Sequence, residues 1–192
     1  MKRLLSALGL GALGLGLLAP ARAAVETYKI DPVHSTVGFT VRHFFTNVPG
    51  VFTKFAGTIT VDRDNLENSS VEATIEVPSI DTRVEMRDKD LRSDHFFDVA
   101  KYPAITFKSK SWKKAADGSY DVTGDLSLHS VTKEVTLKVK ALGFGRGMHG
   151  AMISGWEATT TLNRNDFGIT RYPGMLGDEI PVTINIEADL QK

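Results

Sequence analysis

The sequence predicts an all-β fold: an antiparallel barrel of eight strands with one short helical insert at about 82–97. Three observations carry this. Apolar and polar residues alternate with period two along most of the chain after residue 27, the pattern of strands with one face in a core and the other in water. Several of these runs reach about 9–11 residues, roughly 30 Å at 3.3 Å per residue. Long consecutive antiparallel strands suit an up-and-down barrel better than a Greek-key sandwich of short ones. Only the region of 81–97 departs from period two. A sheet that is apolar on one side must cover that side, against a second sheet or by curling closed.

Taken in order, Tyr28-Lys29-Ile30 is a short first strand. From Ser35 to His43, Val37, Phe39 and Val41 oppose Thr36, Thr40 and Arg42. Phe55, Gly57, Ile59 and Val61 then alternate with Lys54, Thr58, Thr60 and Asp62, and Val71, Ala73, Ile75 and Val77 with Glu72, Thr74 and Glu76. Ala104 to Ser109 is a shorter strand carrying Ile105 and Phe107. Tyr120, Val122, Leu126 and Leu128 oppose Asp121, Thr123, Asp125 and Ser127, and Val135, Leu137, Val139 and Ala141 oppose Glu134, Thr136, Lys138 and Lys140. Trp156, Ala158 and Leu162 lead to the last strand, where Val182, Ile184 and Ile186 face away from Thr183, Asn185 and Glu187.

The break in period at Asp81-Thr82-Arg83-Val84-Glu85 predicts a helix start, with Thr82 as N-cap and Glu85 as its capping-box partner. The helix extends to about Arg92. A second turn through Phe96-Phe97 comes next, before Tyr102-Pro103 stops it. Adjacent phenylalanines on a short connection between strands dock over an apolar opening, so the insert is expected to act as a lid.

The first residues form a different object. Lys2 and Arg3 precede an uncharged apolar run from Leu4 to Ala19, Pro20 breaks it, and Ala21-Arg22-Ala23 supplies small residues for cleavage. This is the layout of a secretory signal. The run, about 16 residues, is shorter than the roughly 20 that span a bilayer. Residues 1–23 are therefore expected to be removed on export, leaving one domain over 24–192. The whole chain balances 23 basic against 23 acidic side chains; without Lys2, Arg3 and Arg22 the exported domain stands at about −3. That balance lacks the basic footprint of a nucleic-acid binder. With no cysteine there is no disulfide framework, thiolate nucleophile or cysteine-ligated zinc.

Other motifs carry less. Gly145-Arg146-Gly147-Met148-His149-Gly150 has the glycines of a dinucleotide loop, but the residues after it, Ile153 to Leu162, read as a strand and not the helix that would hold a pyrophosphate. Asp166-Phe167-Gly168 lacks every other kinase element. No two of the five histidines have the spacing that places them on one face of a strand or helix to share a metal. Asp31, His34 and Ser35 lie close in sequence but read as a turn entering a strand. An outer-membrane barrel needs aromatic girdles, and two Trp and four Tyr are too few to furnish both rims. Apolar residues are expected inside, with Lys, Glu and Thr in water.

Together these residues resemble the YceI-like family of bacterial exported proteins. The resemblance rests on Tyr28-Lys29-Ile30-Asp31, His34-Ser35, Phe39 and His43, on Phe52 to Gly57, and on Ser79-Ile80-Asp81-Thr82 leading into Arg87-Asp88 and Leu91. Phe96-Phe97-Asp98 before Tyr102 to Phe107, Gly124 to His129 with Val131-Thr132-Lys133, Asn163 to Gly168, and Leu176-Gly177-Asp178-Glu179 continue it. One departure is Ser130, where the family usually has glycine; a positive φ there would strain the turn. The resemblance implies a lipocalin-like barrel in the periplasm, an interior that holds a long isoprenoid or fatty chain, and no established enzymatic activity.

An eight-stranded barrel holds either packed side chains or one slim ligand. The expected lining is Phe39, Val41, Phe55, Ile59, Ile75, Phe97, Phe107, Leu126, Trp156 and Leu162, with His43, Arg87 and Arg164 at the mouth to meet a polar head group. No cofactor, metal or nucleic acid is implied, nor stable membrane insertion; a homodimer is compatible with the sequence. Two other functions fit the same residues: an enzyme acting on such a chain with His34 or His43 as base, and a structural stress protein with a solid core.

Overall fold

The computed structural model describes residues 25–191, so the expected signal segment lies outside the described residues. The strands are β1 (Glu26–Ile30), β2 (Thr36–His43), β3 (Thr46–Phe52), β4 (Phe55–Val61), β5 (Ser70–Glu76), β6 (Ile80–Asp81), β7 (Ala104–Lys114), β8 (Tyr120–Leu128), β9 (Val131–Arg146), β10 (Met152–Asn163) and β11 (Glu179–Leu190), with one α-helix, α1 (Glu85–Arg92). Every pairing between these strands is antiparallel. Eight strands, β1-β4-β5-β7-β8-β9-β10-β11, form a ring that closes where β11 pairs with β1, Tyr28 opposite Leu190. The expected barrel is present.

β2 and β3 extend the same staves. β2 takes over from β1 along β11, with Thr36 opposite Asn185, and pairs with β3 from Val37–Phe52 to His43–Thr46. β1 and β2 are thus one long strand interrupted at 31–35, and β3 and β4 one interrupted at 53–54. The first interruption is fastened to β11: the Asp31 N–H donates to the Glu187 carbonyl, and the Ser35 hydroxyl donates to that carbonyl and accepts from the Glu187 N–H.

Several boundaries differ from expectation, each for a local reason. β3 has no counterpart among the expected strands. Val48, Gly50 and Phe52 do alternate inward, but Pro49 and Gly50 are strand-poor residues that hide the pattern. β7 runs past Ser109 to Lys114 because a bulge at Lys110 shifts the alternation and brings Trp112 inside. A second bulge, between β9 and β10 at Leu142, lets β9 continue to Arg146. In the two-residue turn 129–130 the positive φ (54°) falls on His129 and not on Ser130, so Ser130 carries no strain; the His129 ring packs on Tyr102 at 4.4 Å.

Helix α1 ends at Arg92 as expected but starts two residues later than its expected cap implies. Arg83 takes a left-handed φ of 66°, which turns the chain before the first helical residue and makes Val84 the N-cap, with no side-chain cap bond. Thr82 is instead held by buried Asp88, whose Oδ1 accepts from both the Thr82 N–H and its hydroxyl, at 2.9 and 2.5 Å.

The core divides by height. At one end Tyr28, Val61, Trp112, Val122, Trp156 and Ala188 pack into a closed floor, with Trp112 and Phe144 edge-on to Trp156 at 5.7 and 5.4 Å. At the other end Val37, Phe52, Val77, Ile80, Leu126 and Phe167 form a collar under the 77–103 insert. Outside, Lys108 pairs with Glu72, Lys110 with Asp125 and Lys138 with Asp117, so the outward faces are charged. Among the described residues no helix is long and apolar enough to cross a membrane.

Candidate functional site: an apolar cavity

Between floor and collar the inward side chains do not meet. They leave a cavity of about 840 Å³, in the upper part of the roughly 300–1,000 Å³ range of ligand pockets. Strand periodicity fills its wall: Val37, Phe39 and Val41 from β2, Phe55 and Ile59 from β4, Val71, Ala73 and Ile75 from β5, with matching sets from β7 to β11. Phe39, Phe55, Phe107 and Leu162 stay only partly buried because they face this space, whereas Tyr28 and Val122 on the floor are fully buried. An interior of this kind is not a solid core.

All thirteen residues singled out from sequence line the cavity: Phe39, Val41, Phe55, Ile59, Ile75, Phe97, Phe107, Leu126, Trp156, Leu162, His43, Arg87 and Arg164. The lining also takes in residues that periodicity did not mark. Val48 and Phe52 come from β3, and Ile169, Tyr172, Met175 and Leu176 from the β10–β11 connection, which has no period to read. Thr160 interrupts the apolar face of β10 and donates its hydroxyl to the Thr136 carbonyl.

The polar groups at the mouth are not equivalent. Arg164 is 7% exposed and is engaged as a staple. Its Nε donates to the Gly177 carbonyl, Nη1 to those of Ile169 and Arg171, and Nη2 to Asp178 at 2.8 Å. Four of its five donors thereby hold the 164–178 connection, which leaves one N–H for any other acceptor. Arg87 donates Nε to the Thr82 hydroxyl and Nη2 to the Thr82 carbonyl, leaving Nη1 without an internal acceptor in these bonds. His43 is exposed, with its ring edge-on to Phe44 at 4.8 Å. Arg87 and His43 thus line the cavity with donor capacity that these bonds do not use up.

His34 is elsewhere. It lies 64% exposed on the interruption between β1 and β2, where Nδ1 donates to Asp31 at 2.6 Å with Glu187 3.6 Å away, and it is not part of the cavity lining. A base acting on an enclosed chain would have to be His43. Asp31, His34 and Glu187 do offer three ligand-type atoms within 4.8 Å, with Glu187 brought in from β11, but the Asp31–His34 hydrogen bond and the Asp31–Val33 N–H bond account for two members as a turn clamp.

The floor carries little polarity. Tyr28 donates its hydroxyl to Glu26, and burial, aided by that bond, pushes its pKa up to about 12. Trp156 Nε1 donates to Ser154. Trp112 Nε1 has no acceptor, the single buried side-chain polar atom of that kind among the described residues.

Residues 28–188 match the model of the YceI-like domain. The chain belongs to the YceI-like family. It is 38% identical over 190 residues to a UPF0312 protein of Pseudomonas paraeruginosa, an alignment covering 97% of each chain. Its fold resembles that of BcnA from Burkholderia cenocepacia, with a TM-score of 0.76 at 23% identity, covering 83% of this chain and 99% of that one. It also resembles a polyisoprenoid binding domain from Saccharophagus degradans, with a TM-score of 0.63 at 16% identity over 85% and 98% of the two chains. These two likenesses speak to the fold, and the match over 28–188 takes in the barrel except for the first two residues of β1 and the last two of β11.

Proposed function

We propose that this YceI-like protein is a periplasmic carrier that sequesters one long apolar chain, a polyisoprenoid, isoprenoid quinone or fatty-acid derivative, inside its barrel. The cavity carries the reading: about 840 Å³ of almost wholly apolar space with a closed floor and one open end. At roughly 30 Å³ per water-sized or methylene-sized unit, it has room for at least about 20 carbons of an apolar chain. Each buried methylene contributes about 0.8 kcal/mol, so such a chain gains roughly 15 kcal/mol gross. Ordering and association remove much of this, and useful affinity survives without a strong polar anchor. The polar head would rest at the mouth beside Arg87 and His43. The mechanism is sequestration and not chemistry. The polyisoprenoid binding of the Saccharophagus domain, which shares this fold, supports the choice of ligand class, and the signal-like segment at 1–23 supports the periplasmic address.

Both tryptophans of the chain, Trp112 and Trp156, line the cavity near its floor, and they supply the test. Organic extraction of protein isolated from its native periplasm should release a stoichiometric apolar chain. A chain brominated near its tail, added to emptied protein, should quench the tryptophan emission by more than half, whereas bromine at the head should quench weakly. Protein that comes out empty and shows no quenching with either probe would overturn the reading.

A further inference from the structure

The open end of the barrel carries a surface that the cavity does not explain. Ten large apolar residues are markedly exposed among the described residues, and six of them, Phe44, Phe45, Val84, Met86, Tyr172 and Met175, lie on three segments at this end. The β2–β3 turn is zipped to the β10–β11 connection: the Phe44 N–H donates to the Met175 carbonyl, and the Gly177 N–H to the Arg42 carbonyl. Val84, Met86, Tyr172 and Met175 line the cavity as well as the rim, so apolar surface runs unbroken from the interior to the outside.

The turn itself is costly for folding. His43 pairs with Thr46, so Phe44-Phe45 is a two-residue hairpin loop, a place that favours glycine, asparagine or aspartate. Phe44 sits at a φ of 48°, a left-handed conformation unfavourable for a bulky side chain. Phe45 is 92% exposed. Neither ring lines the cavity. Two phenylalanines in a turn that glycine and asparagine would serve better point to something outside the chain.

Charge identifies that partner. Within the three rim segments, 42–47, 82–87 and 169–177, Arg42, Arg83, Arg87 and Arg171 stand against Glu85, which lies 3.7 Å from Arg92. Of the carboxylates that flank them, Asp88 is buried on Thr82, Asp178 pairs with Arg164 and Asp81 accepts from the Arg83 N–H. Arg171 stacks on the Tyr172 ring at 5.0 Å, and Arg42 donates Nε to the Phe44 carbonyl. Apolar tips ringed by arginines, on a domain that is otherwise acidic, suit the boundary between acyl chains and anionic head groups. We propose that this rim is a docking surface for an anionic lipid bilayer, which Phe44 and Phe45 enter while the arginines hold the head groups. Its purpose rests on the carrier reading: a chain could pass between bilayer and cavity without crossing water. The surface itself stands on the exposed rings and the arginines alone.

The test exploits the conflict in the turn. The Phe44→Gly/Phe45→Asn variant removes both rings and supplies residues the hairpin prefers, so it should melt at or above the temperature of the natural protein. Its binding to sucrose-loaded vesicles of phosphatidylethanolamine and phosphatidylglycerol, read by co-sedimentation, should fall at least tenfold. The natural protein should bind these vesicles far better than phosphatidylcholine vesicles, and Arg42→Glu/Arg171→Glu should erase that preference. Because the turn rings lie outside the cavity, the Phe44→Gly/Phe45→Asn variant should still show tryptophan quenching by a brominated chain added from ethanol. If the natural protein ignores the vesicles, or the turn variant binds them as well as it does, the docking proposal is wrong whatever the quenching shows. The same holds if sedimentation velocity shows a rim-to-rim dimer that the turn substitutions dissolve with no effect on vesicles. If vesicles bind and no chain ever quenches, the carrier reading fails and the docking surface stands.

Discussion

The ring of Phe39 lies over Gly50 on the neighbouring strand, in the space a side chain at 50 would occupy. A Cβ at Gly50 would overlap Cζ and both Cε atoms of the ring, and the two residues are directly paired between β2 and β3. Missing bulk on one strand thus sets the position of an aromatic wall of the cavity on the next.

Substituting Gly50 should therefore change capacity more than stability. The obstructed atoms are the far end of a side chain that borders open space, so Gly50→Ala should cost only about 1 kcal/mol while pushing Phe39 into the cavity and weakening chain uptake severalfold by tryptophan quenching. Gly124→Ala makes the contrast. There a Cβ would meet the Lys108 carbonyl and the Ser109 Cα, backbone that cannot move aside, and urea denaturation should show a loss of about 3 kcal/mol or more.

Arg164 should behave as a structural residue. Arg164→Ala leaves three carbonyls and Asp178 without their donor, and the expected loss is about 2–4 kcal/mol. Arg164→Lys should recover little of it, because an ammonium cannot span four acceptors in a fork. A variant stable to within a few tenths of a kcal/mol of the natural protein would contradict the staple assignment.

Asp88 should control the insert. Its Oδ1 holds Thr82 at two donors, and Thr82 in turn receives two bonds from Arg87. Asp88→Ala should cost about 2–4 kcal/mol and speed amide exchange first through 82–92, before the barrel strands. Uniform acceleration across the barrel would show that the insert is not a separable unit.

The Asp31–His34 clamp makes stability depend on pH in both directions. The hydrogen bond to Asp31, then its charge, holds the His34 pKa above the ordinary imidazole value. That contribution is complete below the ordinary value and fades as pH rises through the raised one. The Val33 N–H, then His34, holds the Asp31 pKa below the ordinary carboxyl value; its share is complete above the ordinary value and fades as pH falls through the lowered one. Both are fully present between about pH 4 and 6.5. Melting temperature should decline from about pH 6.5 to pH 9, and His34→Gln should flatten that decline. An unchanged slope in the variant would rule the clamp out as its source.

Much of the cavity is legible in the sequence because a barrel of this kind repeats one rule. Residues two apart share a face, so Phe39 and Val41, or Ile59 with Phe55 four before it, point inward whatever their strand pairs with. The rule fails where the chain leaves it. The bulge at Lys110 hides the inward turn of Trp112, Pro49 and Gly50 hide β3, and the 164–178 connection has no period at all, so nothing local marks Ile169, Tyr172 and Met175. Arg164 does lie at the mouth, as expected, but its partners there, Gly177 and Asp178 among them, come from the far end of that connection.

The sequence by itself determined the class of the fold, the family, and which side chains of the regularly alternating strands face inward, because these depend on local alternation and on ordered motifs. Whether the inward residues would meet was not a local property. Closure of β1 on β11 sets the barrel's radius, and that radius leaves Phe39, Phe55 and Phe107 facing a cavity instead of each other. Only the closed ring also brings Arg42, Arg83 and Arg171, from segments far apart in sequence, to one rim beside Phe44 and Phe45. Periodicity tells a side chain which way to point; the circumference of the closed sheet decides what it finds there.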